Sequence, residues 1–167
     1  SEEMLPVVDE RVLSGSVPRV GFQFTLTNRN KSFAGRLAID IERKLNHEID
    51  PATSATVQAV LTGKKGRRFL RAETVHIQTR ESAGQSYGAW LNEGLFLEHT
   101  GVCNDGVGKG MCGGLIVVKS PGGGSYVRGE NVLIGNFALF GASGGQLFVS
   151  GEAGDRCAVR NSGALAV

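Results

Sequence analysis

The chain has 167 residues, enough for one domain with a real core or for a slice of a larger assembly. Its 18 Lys and Arg stand against 16 Asp and Glu, a net charge of +2 that is too even to specify a nucleic acid or a lipid surface as partner. No stretch approaches the ~20 apolar residues of a membrane span, and the acidic start SEEMLPVVDE lacks the basic and apolar regions of a signal peptide.

In chain order, Val20, Phe22, Phe24 and Leu26 alternate with Gly21, Gln23 and Thr25, the period of two that predicts a strand with one buried face. Asn28-Arg29-Asn30 turns the chain, and Ser32 stands where a helix N-cap belongs. Phe33, Leu37, Ile41 and Leu45, with Ala34 and Ala38 beside them, predict one amphipathic helix over about 33–46. Asp50-Pro51 predicts the cap of a second, weaker helix over 52–61. Residues 62–71 read as an exposed loop whose basic cluster, Lys64-Lys65-Gly66-Arg67-Arg68 with Arg71 after it, is solvated.

The chain changes character near Gly84: of 25 glycines, five lie in residues 1–83 and 20 in residues 84–167. From here no helical pattern is found. Short apolar runs begin near residues 75, 95 and 115, then 132, 147 and 164, with two more at 138–140 and 157–159. Runs of three or four residues recurring at 15 to 20 predict a mainly β fold, a β-solenoid over 73–167. The strand and helix of residues 1–72 would pack on it or cap it, so the whole reads as one structural unit. Glycine then serves corners with φ > 0, and Asn131, Asn136 and Asn161 are assigned to corners of the same kind. The three cysteines, Cys103, Cys112 and Cys157, form no C-x-x-C, so reduced thiols and no metal site are expected. Both ends of the sequence read as cut, as in a fragment.

Three motifs compete for a functional reading. Gly108, Gly110 and Gly113 match G-x-G-x-x-G, but so dense a glycine background yields such a match by chance, and the strand-like Leu115–Val118 follows where a dinucleotide turn would open a helix. Lys109 is followed by Gly110, so no phosphate-binding Walker loop fits. Gly84, Ser86 and Gly88 match the G-x-S-x-G nucleophile elbow, yet only His99 follows, with Glu93 and Glu98 between, so a turn is the better reading. Ile134-Gly135 and Phe140-Gly141 begin a hexapeptide pattern that stops at Gln146. His76, alone on a strand, reads as a structural histidine. Catalytic, cofactor-binding and metal-binding residues are therefore none.

Longer blocks carry a resemblance. The runs SAGQSYGAW (82–90), DGVGKGMCGG (105–114), ENVLIGNFALFGASGGQLFVSGEAG (130–154) and DRCAVRNSGA (155–164) resemble the C-terminal domain of the glutamate synthase large chain. That is the glycine-patterned (GXGXG) β-helix domain shared with one of the subunits of formylmethanofuran dehydrogenase, and the resemblance implies a right-handed parallel β-helix over 73–167. Thr27–Gly35 is similar, more faintly, to the family's Asn-x-x-Arg-x-x-Gly approach to a helix. The chain departs from the pattern at Gly106, where the family has Tyr, at Cys157, where it has Phe, and at Lys31, which replaces or displaces the Arg; the family also continues beyond Ala166-Val167.

The resemblance implies a non-catalytic structural domain or subunit of a cytoplasmic glutamate synthase, an oxidoreductase complex of nitrogen metabolism. It would scaffold amidotransferase and FMN-binding domains, with FMN and an iron–sulfur cluster held by those partners and no cofactor in this chain. No nucleic acid or membrane partner is implied, and the last edge is open to a homo-oligomer. The alternatives are a subunit of formylmethanofuran dehydrogenase or a related amidotransferase-linked enzyme, or a free-standing β-helix enzyme acting on polysaccharide. The last needs a groove of acids, and Asp155 and Arg156 would point to opposite faces of a strand.

Overall fold

A computed structural model describes residues 2–122 and 129–167. The chain opens on a helix that the composition of SEEMLPVVDE hid. Met4–Val7 (α1) runs on into a π-helical stretch, Val8–Leu13, and the buried residues Met4, Val8 and Val12 fall four apart, on one face. The strand Val20–Leu26 (β1) forms as its alternation predicts, with Val20 and Leu26 buried.

The helix after it is Gly35–Arg43 (α2), continued by a π-helical Lys44–Glu48, with Leu37, Ile41 and Leu45 buried. Ser32 is not its cap. Ser32 and Ala34 both have φ > 0, and the Ser32 N–H donates to the Gln85 carbonyl at 2.8 Å, so tertiary bonding bends the chain before the helix starts. Asp50 does cap the next helix, Pro51–Ala55 (α3): its Oδ1 accepts from the N–H groups of Ala52 and Thr53 at 2.7 and 3.4 Å. That helix ends well short of residue 61, because Val60–Thr62 (β2) pairs antiparallel with Arg68–Leu70 (β3). Residues 62–71 are thus half of a hairpin rather than an exposed loop. Arg68 is buried, donating to the Ile49 carbonyl at 2.8 Å and to Ser54 Oγ at 2.9 Å. Arg67 bridges Glu42 and Glu93 at 2.8 and 3.2 Å. Two of the five residues in the basic cluster are therefore committed internally.

The remaining strands are Val75–Ala83 (β4), Leu95–Cys103 (β5), Cys112–Lys119 (β6), Val132–Ile134 (β7), Gly144–Val149 (β8), Glu152–Ala153 (β9) and Leu165–Ala166 (β10). Among the described residues, eight strands form one parallel sheet in the order β1-β4-β5-β6-β8-β10, with β7 and β9 beside it. The spacing of 20 sets the register, Val75 opposite Leu95 and Ile77 opposite Leu97. One buried row, Ile77, Leu97, Ile116 and Leu147, runs across four strands and fixes which face is inside.

The expected right-handed β-helix is overturned. The sheet is open, with β1 and β10 as its two ends, and helices accompany it, so the architecture is a parallel α/β sheet. The apolar runs 138–140 and 157–159, expected as strands, are turns; their side chains are placed by stacked turn segments instead. Apolar spacing reports which residues are buried in register. It does not report whether the connections between them extend the sheet into a closed coil. β1 pairs with β4, and one hydrophobic cluster extends from Met4 to Leu147, so the first 72 residues share a sheet and a core with the rest.

Candidate functional site

The glycine-rich blocks build a column of turns alongside the sheet. Segments 31–34, 85–90, 106–110, 136–141 and 155–160 lie layer on layer. In each, every second residue has φ > 0: Ser32 and Ala34; Ser86, Gly88 and Trp90; Gly106, Gly108 and Gly110; Phe137, Leu139 and Gly141; Arg156, Ala158 and Arg160. The left-handed residues donate their N–H groups to neighbouring layers in alternate directions. Ser86 and Trp90 donate forward to Asp105 and Lys109 (both 2.8 Å), while Gly88 donates back to Phe33 (3.0 Å). The next layer repeats this, with Gly106 to Asn136, Gly110 to Phe140 and Gly108 back to Tyr87, all at 2.9 Å. The working motif is therefore G-x-G-x-G at 106, 108 and 110, a period-two signal that the G-x-G-x-x-G reading passed over.

The candidate motif residues separate accordingly. Gly108 and Gly110 are turn residues and Gly113 lies within β6. Ser86 is held in the turn column, and both nitrogens of His99 are used elsewhere: Nδ1 meets Thr79 Oγ1 at 2.8 Å and Nε2 meets the Val102 carbonyl at 3.2 Å. A carbonyl only accepts, so Nε2 carries the proton, Nδ1 accepts from Thr79, and Thr79 in turn accepts from the Tyr87 hydroxyl at 2.8 Å. His99 and Tyr87 are fully buried. Burial lowers the His99 pKa below its usual value and pushes the Tyr87 phenol well above its own. This is a closed internal network with no acid–base pair facing a substrate. Asn131, Asn136 and Asn161 do not take φ > 0. Asn136 and Asn161 act through their side chains, accepting from the Asp155 N–H at 2.9 Å and from the Ala164 N–H at 2.9 Å. Asp155 and Arg156 lie in the last turn layer.

The outer face of the sheet carries a polar ladder. Gln23 donates to Gln78 at 3.0 Å, and Gln78 to Glu98 Oε2 at 3.1 Å; His76, stacked flat on Phe96, meets the same oxygen at 3.0 Å, and Lys119 meets Oε1. Lys119 and then Gln78 hold the Glu98 carboxyl at about 2. These groups saturate one another. Cys103 is buried and its thiol is pushed up to about 12, Cys112 donates to Asn92 Oδ1 at 2.7 Å, and Cys157 is exposed. Among the described residues no three His, Cys, Asp or Glu side chains gather to hold a metal, so these cysteines do not fit an iron–sulfur cluster. Also among them, no buried side-chain nitrogen or oxygen lacks a partner, and no helix is long and apolar enough to cross a membrane.

The chain matches the GXGXG motif family over residues 12–167, a span that contains all five turn layers. It belongs to that family. The chain is 43% identical over 119 residues to a glutamate synthase (NADH) of Schizosaccharomyces pombe, covering 69% of this chain and 6% of that protein. It is 35% identical over 160 residues to the glutamate synthase (NADPH) large chain of Bacillus subtilis, covering 96% of this chain and 9% of the relative. A ferredoxin-dependent glutamate synthase of Pyropia yezoensis is 37% identical over 167 residues, 94% of this chain and 9% of that one. This GXGXG chain thus spans under a tenth of the length of these relatives. Within the matched span, Gly106, Gly108 and Gly110 carry the G-x-G-x-G spacing with φ > 0 at each glycine.

Proposed function

We propose that this chain is a non-catalytic structural domain of a glutamate synthase, a firm block against which amidotransferase and FMN-binding domains pack. In this reading FMN and an iron–sulfur cluster belong to those other domains, the enzyme is cytoplasmic, and residues 1–72 and 73–167 act as one structural unit. The observation that carries the reading is the inward closure of the polar groups. His99, Thr79 and Tyr87 satisfy one another inside, and Glu98 is occupied by Lys119, Gln78 and His76 outside. Relatives named for NADH, NADPH and ferredoxin all resemble this chain, which supports a role independent of the reductant. The same relatives favour glutamate synthase over formylmethanofuran dehydrogenase or a related amidotransferase-linked enzyme.

The test is to place Leu147→Ala and Ser86→Ala in the parent enzyme and assay glutaminase and glutamate synthesis, each normalised to folded protein. A scaffold predicts that Leu147→Ala lowers both activities together, in proportion to the folded fraction, and that Ser86→Ala alters neither chemical step. A folded variant that kept its glutaminase activity and lost only synthesis would overturn the structural-only role.

A further inference from the structure

On the outer side of the turn column, large apolar side chains stand in solvent. Trp90 is 46% exposed, Phe140 and Val159 each 36%, and Ile39 of α2 47%. Ile39 and Trp90 share a shallow groove of about 500 Å³ with Glu42, Arg43, His47 and Gly110. Backbone bonds place these residues in successive layers, Trp90 donating to the Lys109 carbonyl at 2.8 Å, Gly110 to Phe140 at 2.9 Å and Gly141 to Val159 at 3.0 Å. Hydrogen-bonded layers lie about 4.8 Å apart, so Trp90 and Val159 are separated by roughly 14 Å along the column.

At its far end the stripe opens into a depression of about 260 Å³ lined by Lys109, Phe137, Phe140, Arg156 and Val159. Two cations border three apolar side chains, and no acid lines the depression. Among the described residues neither Lys109 nor Arg156 has an ion pair, whereas Arg36, Arg43, Lys44, Arg67 and Lys119 each meet a carboxylate. Exposed aromatic residues rimmed by unpaired cations have the composition of an interface core with charged anchors at its edge.

We propose that this stripe seats an apolar segment, flanked by carboxylates, from another domain of the same enzyme, with Lys109 and Arg156 anchoring those carboxylates. The proposal rests on the glutamate synthase reading, in which most of the polypeptide lies outside these residues: the match covers 6–9% of the relatives. Charge selects this occupant over a second copy. A twofold contact centred on the depression would set Lys109 and Arg156 against the same cations, and no acid lines that depression.

The test uses the full-length enzyme and a carbodiimide, which joins amines to carboxylates in direct contact. Lys109 should couple to an Asp or Glu outside residues 1–167, and Arg156→Glu should lower that yield several-fold. Phe140→Asp should speed protease release of this domain from the intact enzyme. Coupling of Lys109 to a second copy, read from mixed isotope-labelled enzyme, would overturn the choice of partner. No coupling outside the domain, together with unchanged release of Phe140→Asp, would overturn the surface itself. Neither result depends on how the two activities respond to Leu147→Ala, so failure here is separable from failure of the structural reading.

Discussion

The Gly108 N–H donates to the Tyr87 carbonyl at 2.9 Å, while its neighbours Gly106 and Gly110 donate the opposite way, into the following layer. Gly108 has φ = +64°, and a Cβ there would come within 2.9 Å of Met111 Sδ and 3.0 Å of Leu139 Cδ2. Gly141 has the same φ of +64°, yet a Cβ on it would meet nothing within 4 Å. Both Gly108→Ala and Gly141→Ala should lose about 1–2 kcal/mol through the left-handed backbone. Gly108→Ala should lose more than Gly141→Ala, because Met111 and Leu139 must also shift. Urea unfolding of the two variants measures the difference; equal losses would mean that packing at Gly108 is loose.

Leu147, 1% exposed, lies between Ile116 and Ala166 in the buried row. Leu147→Ala should destabilise the fold by roughly 2–5 kcal/mol through the cavity it leaves. Leu165, 51% exposed on β10, is the control. Leu165→Ala should stay within about 0.5 kcal/mol of the parent. Thermal or urea unfolding checks both.

Glu98 titrates near 2 in the folded chain against a usual 4.5, because Lys119 and Gln78 favour its charged form. A depressed carboxylate adds stability that is fully present above its unfolded value and fades as pH falls from about 4.5 toward 2. Glu98→Gln should be less stable than the parent at neutral pH, and the gap should close over that window. Urea midpoints measured from pH 6 down to 2 decide it; a gap that stays constant would show that Glu98 is not the titrating group.

Burial lowers the His99 pKa, so the unfolded chain takes up a proton where the folded one does not. The buried neutral ring should therefore make the fold less stable as pH drops below 6.5. Nitrogen-15 spectra of the ring should show the proton on Nε2 through that range. A His99 signal that titrated near its ordinary value would break the Thr79–Tyr87 assignment. Thr79→Val, which removes the donor to Nδ1 and the acceptor for Tyr87, should leave two buried groups unpaired and destabilise by about 1–3 kcal/mol.

Much of the molecule could be read in advance, for identifiable reasons. Val20 to Leu26 alternate cleanly because one face of β1 is covered, and Leu37, Ile41 and Leu45 keep helical spacing because α2 lies on the core. The opening helix carried the same signal at Met4, Val8 and Val12, obscured by Pro6 and the surrounding acids. Arg68 misled because a guanidinium in a basic run reads as solvated until Ile49 and Ser54 are found within its reach.

The sequence by itself determined the family, through its long glycine blocks, and the register of β4 on β5, through apolar runs set 20 apart, whereas β5 and β6 pair one residue off that spacing, with Phe96 opposite Leu115. Those are properties of composition and spacing, which survive without knowledge of partners. Only the tertiary structure decided that the sheet stays open, that runs 138–140 and 157–159 are turns, and that Trp90, Phe137, Leu139, Arg156 and Arg160 adopt left-handed backbone. No side chain of those types announces φ > 0. In the column the conformation goes with backbone bonds between layers, such as Phe137 to Asp155 and Leu139 to Val107. Such bonds exist only once the layers have stacked.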